Sequence, residues 1–156
     1  MALAVVTGAS RGLGFENAKS LAALGYDIVM IAQDPSRLMQ AKERLQQDHP
    51  QQQFTPYEVD LENMQATRNT VALISQQHVA PEILILAHGV MSDKMSKTLK
   101  TNDVEWRRVM AINLDSVFTL VNGLAPAMVE ARSGRIIIYS ACLGRMSGPG
   151  NAGGLA

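Results

Sequence analysis

Five short apolar runs, at residues 2–7, 26–32, 53–59, 82–87 and 135–140, alternate with segments that carry the period of a helix. Apolar runs of this length read as strands buried on both faces. Strands that alternate with helices pair in parallel. Right-handed crossovers then put helices on both sides of the sheet. The pattern predicts a doubly wound α/β fold of three layers, α/β/α, that takes ligands at the carboxyl ends of its strands.

Local signals set the elements. Residues 13–24 read as a helix, with Gly25 placed to end it. Asp34 is placed to cap the next helix, with Pro35 at its first position and Leu38, Ala41 and Leu45 on its apolar face. Pro56 cannot donate to a ladder, so the third strand belongs at a sheet edge. Met64, Thr67, Val71 and Ile74 give the third helix its stripe, and Asn102 with Glu105 suggests a capping box opening a long helix over 103–130.

The 156 residues, 47% hydrophobic, allow one domain with its own core, here taken as 1–156. Lys plus Arg and Asp plus Glu stand at 14 each, which removes the electrostatic case for nucleic acid or an anionic membrane. Cys142 is the only cysteine, so no internal disulfide framework exists. It has no metal-ligand spacing with His49, His78 or His88, and no metal is expected. No apolar run approaches the roughly 20 residues of a membrane span, and no basic region precedes the first apolar run. The expectation is a cytoplasmic protein without a membrane span.

The stretch VVTGASRGLGF, residues 5–15, breaks the first apolar segment with Gly8, Gly12 and Gly14. These glycines fall between the first strand and the first helix. There the free N–H groups and dipole of a helix start favour an anion, and a missing Cβ lets backbone approach it. The spacing is neither G-x-G-x-x-G nor a P-loop, since no Gly-Lys-Ser/Thr follows. A dinucleotide's phosphates are the functional reading, and a glycine-rich structural turn is the competing one.

TGASRGLG, residues 7–14, resembles the cofactor fingerprint of the classical short-chain dehydrogenases/reductases. Further matches follow in order: VDL at 59–61, MAINL at 110–114, and GRIIIYSA at 134–141. The resemblance covers essentially the whole chain and implies a Rossmann-type sheet. It implies cofactor contacts at Gly8, Ser10, Arg11, Gly12, Leu13 and Gly14, at Gln33, at Asp60 and Leu61, and at Gly89. The family's Asn-Asn-Ala-Gly is Leu86-Ala87-His88-Gly89 here, so an Asn that braces the sheet in the family is replaced by Ala87. His88 is then expected to bond a backbone group or to lie near the cofactor's ribose.

An acid at the end of the second strand usually holds the adenosine ribose of NAD, and an Arg the 2′-phosphate of NADP. Ala32 and Gln33 occupy that place, and Asp34 is better used as a cap. Arg11 can pair with a 2′-phosphate. NADP(H) is therefore expected over NAD(H), acting with a small alcohol or carbonyl substrate.

The resemblance makes Ser140 the serine that orients the substrate oxygen and Asn113 the asparagine that holds a water in the proton relay. The family's Tyr-x-x-x-Lys has no counterpart, because no Tyr or Lys follows Ser140. The sequence thus reads as the cofactor-binding part of the family fold, breaking off after the fifth strand, with a homodimer or homotetramer expected of the complete form. The alternative is a nucleotide-binding fragment or regulatory protein without catalysis. Cofactor binding discriminates both from a purely structural interaction module.

Overall fold

The computed structural model describes residues 2–92 and 98–141. Its elements run β1 (Leu3–Thr7), α1 (Gly12–Ala23), β2 (Asp27–Ala32), α2 (Pro35–Asp48), β3 (Phe54–Glu58), α3 (Met64–Gln77) and β4 (Ile83–Leu86). A single 3-10 turn, Thr98–Lys100, leads to α4 (Asp103–Met110), a π-helical turn (Ala111–Asp115), α5 (Ser116–Glu130) and β5 (Arg135–Ile138). The strands form one parallel sheet in the order β3-β2-β1-β4-β5. The direction of winding reverses between β1 and β4, which is where this architecture opens a crevice.

Alternation along the strands divides the core. Ala4, Val6, Ile28, Met30 and Ile85 face α1 and α2, with Leu38, Ala41 and Leu45 from α2 packed on them. Leu3, Val5, Val29, Ile31, Leu84 and Leu86 face the other way, against Val71, Ile74, Leu120 and Leu124. β1, β2 and β4 are therefore apolar and buried on both faces, as their unbroken apolar runs predict, whereas β3 is only partly buried and β5 is exposed along its length. Pro56 sits in β3, at the edge expected for it.

Caps agree with the local signals. The Asp34 carboxylate accepts from Arg37 N at 3.0 Å, Asn63 Oδ1 from Ala66 N at 3.0 Å, and Asn102 Oδ1 from Glu105 N at 2.8 Å. In the expected capping box, Glu105 pairs forward with Arg108 at 3.1 Å.

Two expectations need correction. The long helix over 103–130 is continuous but not uniformly α-helical, because the π turn interrupts it at Ala111–Asp115. An 18-residue window of that run also reaches a mean hydropathy of 1.3, long and apolar enough by length and composition alone to cross a membrane. Its length comes from Asn102 at one end and an apolar α5 at the other. In the fold, Leu120, Leu124 and Met128 pack in the core on the α3 side of the sheet.

Candidate functional site

A cleft of about 450 Å³ lies at the carboxyl ends of the strands, within the range of small-molecule sites. Four segments build it, one after each of β1, β2, β3 and β4, the first being the glycine loop. Nine of the sequence-predicted residues line it, namely Gly8, Ser10, Arg11, Gly12, Leu13, Gln33, Asp60, Leu61 and Gly89. Gly14, Asn113 and Ser140 stand outside the lining.

The glycine loop owes its path to two close approaches. Gly8 has φ +64, and a Cβ on it would lie 2.8 Å from the Ala87 carbonyl oxygen. Gly14 lies on the first turn of α1 against the end of β1, where a Cβ would come 2.8 Å from the Thr7 carbonyl oxygen. Gly14 thus serves the packing of helix on strand, the role that leaves it outside the cleft. Ala9 N donates to the Ile31 carbonyl at 3.3 Å and ties the loop to β2.

The start of α1 is left open. Arg11 occupies the N-cap position in extended conformation, and no side chain caps this terminus, whereas α2, α3 and α4 are each capped by Asp or Asn. Arg11 itself is exposed and has no ion pair among the described residues.

Across the cleft, Ala32 ends β2 and Gln33 is exposed beside it. Asp34 is spent on the helix: besides its cap, it pairs with Arg37 Nε at 3.2 Å. Arg37 lines the cleft too, a residue that sequence reasoning missed. Its only signal was its place three residues after the Asp34 cap. Asp60 Oδ1 accepts from Glu62 N at 3.0 Å, which shapes the turn after β3.

The loop after β4 is held from two sides. Asn113, on the π turn, closes a two-bond ring with the Val90 backbone: Oδ1 accepts from Val90 N and Nδ2 donates to Val90 O, each at 2.8 Å. His88, also in the lining, has Nδ1 2.6 Å from Thr7 Oγ1, and Nε2 2.7 Å from Ser116 Oγ and 3.1 Å from the Ile112 carbonyl. Burial pushes the His88 imidazole down to about 4, against an upward pull from the Ile112 carbonyl. His88 therefore does bond a backbone group, one of the two roles open to it. Of the other lining residues, Ile112 falls within the MAINL match, and Val90 carried no signal in the sequence.

Ser140 lies just past β5, exposed, following Tyr139, whose N–H donates to the Leu86 carbonyl at 3.0 Å. The Tyr139 hydroxyl accepts from Asn17 Nδ2 at 2.9 Å, so it faces α1. Cys142 and the glycine-rich stretch after it lie outside the described residues.

Known proteins are similar to this chain in sequence and in fold. An uncharacterized oxidoreductase of Staphylococcus saprophyticus is 31% identical over 86% of this chain and 56% of its own length. Galactitol 2-dehydrogenase (L-tagatose-forming) of Cereibacter sphaeroides is 31% identical over 94% of this chain and 54% of its own. The chain thus spans about half the length of the curated relatives it matches. A metagenomic short-chain oxidoreductase, solved in complex with NADP, superposes with a TM-score of 0.88 at 27% identity, covering 99% of this chain and 69% of that one. L-Sorbose reductase of Gluconobacter frateurii shares the fold at a TM-score of 0.90 and 22% identity, covering 98% of this chain and 57% of that one. The family model described as short chain dehydrogenase matches residues 2–153, and on that match the chain belongs to the short chain dehydrogenase family.

Proposed function

We propose that the cleft binds NADP(H) in preference to NAD(H), and that the whole protein is an oxidoreductase of an alcohol or carbonyl substrate. The observation that carries this reading is the uncapped start of α1, open to a cleft at the switch point of the sheet. The donor set fits a dinucleotide. The free N–H groups of the first turn suit a pyrophosphate, and the Gly8 loop passes where a Cβ would collide.

The preference for NADP(H) rests on three features. Arg11 lies at the loop with no ion pair among the described residues. Ala32 and Gln33 supply no acid for a ribose 2′-hydroxyl. Asp34 is already committed to Arg37. The NADP in the metagenomic oxidoreductase supports the same choice by similarity.

A bound nicotinamide supplies or takes up the hydride. Of this chain's own residues, Ser140 donates a hydrogen bond to the reacting oxygen. Asn113, with one amide proton given to Val90 O, keeps its second for a water. The proton step is assigned to a Tyr-x-x-x-Lys pair of the whole protein, for which this stretch has no match. Residues 1–156 are read as one cofactor-binding domain, and the whole protein as a homodimer or homotetramer.

The test is titration of the intact protein with NADPH and with NADH. NADPH is expected to bind tighter, and Arg11→Ala to weaken NADPH by about tenfold while leaving NADH nearly unchanged. Equal affinities, or tighter NADH, defeat the cofactor choice.

A further inference from the structure

We infer that His88 is a positioning residue: as the neutral tautomer with its proton on Nε2, it ties the ends of β1 and β4 to the π turn and holds the floor of the cleft in shape for the nucleotide. The inference rests on the nucleotide reading above.

The direction of each hydrogen bond follows from its neighbours. Ser116 Oγ donates its only proton to the Ile112 carbonyl at 2.6 Å, so towards His88 it can only accept. The Ile112 carbonyl can only accept as well. Both lie within reach of Nε2, at 2.7 and 3.1 Å, and Nε2 therefore carries the proton. A neutral ring leaves Nδ1 bare, and Nδ1 accepts from the Thr7 hydroxyl at 2.6 Å, a much closer approach than the 3.4 Å from that hydroxyl to its other acceptor, the Ile85 carbonyl. Thr7 Oγ1 in turn accepts from Ala87 N at 3.1 Å. One directed chain of bonds then runs from the Ala87 amide through Thr7, His88 and Ser116 to the Ile112 carbonyl.

The opposite tautomer would face a bare Nε2 lone pair towards a carbonyl oxygen and strand buried polar groups, which is costly. Burial disfavours a second proton on the ring and keeps the lock neutral.

The lock acts where the helix departs from the regular α ladder, at the π turn Ala111–Asp115. Ile112 from this turn lines the cleft. Asn113, the next residue, holds both backbone groups of Val90, which also lines it. His88 and Asn113 therefore clamp one turn of helix onto one loop. His88 does so from the strand side, at the position where the family pattern has alanine.

The first measurement reads the tautomer in the intact protein with nitrogen-labelled histidine, without nucleotide, by long-range proton–nitrogen NMR near neutral pH; H88Q assigns the signal. A ring protonated on Nε2 is expected. A ring protonated on Nδ1, or exchanging between the two forms, overturns the lock. The second measures NADPH binding by wild type, H88Q and H88L, alongside thermal unfolding. Glutamine keeps an N–H near the place of Nε2, so H88Q is expected within about threefold of wild type, and H88L at least about tenfold weaker. Wild-type affinity in H88L, or equal losses in both variants, overturns the positioning role. Should H88L not fold, S116A takes its place, with binding expected to weaken about threefold; unchanged binding then overturns the role. Failure of wild type to bind NADPH overturns the nucleotide reading itself, and the tautomer still judges the lock.

Discussion

His88 is part-buried and Ser140 is exposed, and each carries a different prediction. Burial holds the His88 imidazole down to about 4, below the ordinary 6.5 of histidine. The unfolded chain therefore takes up a proton first as the pH falls. The His88 contribution to stability is complete above about pH 6.5 and is lost progressively down to about pH 4, a swing of roughly 3 kcal/mol. H88Q removes the titration, so it should lose less stability than wild type between about pH 7 and about pH 4.5. Urea midpoints at the two values check this, and parallel losses in both proteins would remove His88 as the source. Ser140 is exposed past β5 and outside the cleft lining. If it stabilises the reacting oxygen mainly in the transition state, Ser140→Ala lowers kcat of the whole enzyme by about 10²–10³ and leaves the NADPH dissociation constant unchanged. Steady-state kinetics with a cofactor titration decide it, and an unaltered kcat takes Ser140 out of the mechanism.

Between elements, the start of α1 packs directly on the end of β1 and the loop that follows it. Gly14 makes it possible, because any side chain there runs into the Gly8 and Thr7 carbonyl groups, which are backbone and cannot swing aside. Gly14→Ala is therefore expected to push the helix start outward and cost about 1–3 kcal/mol of stability. It should also weaken nucleotide binding, because the first-turn N–H groups move with the helix. Thermal unfolding and NADPH titration of the variant test the two effects, and a variant as stable as wild type would show that α1 can shift freely. The interrupted helix raises a related point of packing. Its α5 half buries Leu120 and Leu124 at the sheet while its π turn brings Asn113 to Val90, two demands that a uniform helix meets less readily.

At the scale of the molecule, the two sheet edges differ. β3 is blunted by Pro56, which offers no N–H to a further strand. Among the described residues nothing pairs with the outer side of β5, and Ile136, Ile137 and Ile138 are 39%, 45% and 52% exposed. An apolar strand with a free edge recruits other strands. The 156-residue polypeptide is expected to self-associate as its concentration rises, and Ile137→Lys to reduce that association. Light scattering over a concentration series measures it. A monodisperse monomer throughout would show that β5 is covered within this chain.

The order of strands and helices, the Asp34 and Asn102 caps, the edge position of Pro56 and the glycine loop were all legible in the sequence, because each obeys a rule that acts within a few residues. A cap bonds an amide three positions on, a proline removes its own donor, and an apolar run declares its own burial. Only tertiary structure decided the rest. Gly14 belongs to packing rather than to the cleft lining because the Thr7 and Gly8 carbonyl groups lie beneath it. The π turn interrupts a segment whose residue pattern reads as one helix. The bonds of His88 join it to partners 81 residues back, at Thr7, and 28 residues on, at Ser116. No local period encodes a contact across such spans. It exists because a parallel sheet brings the ends of β1 and β4 side by side, with the long helix laid across them.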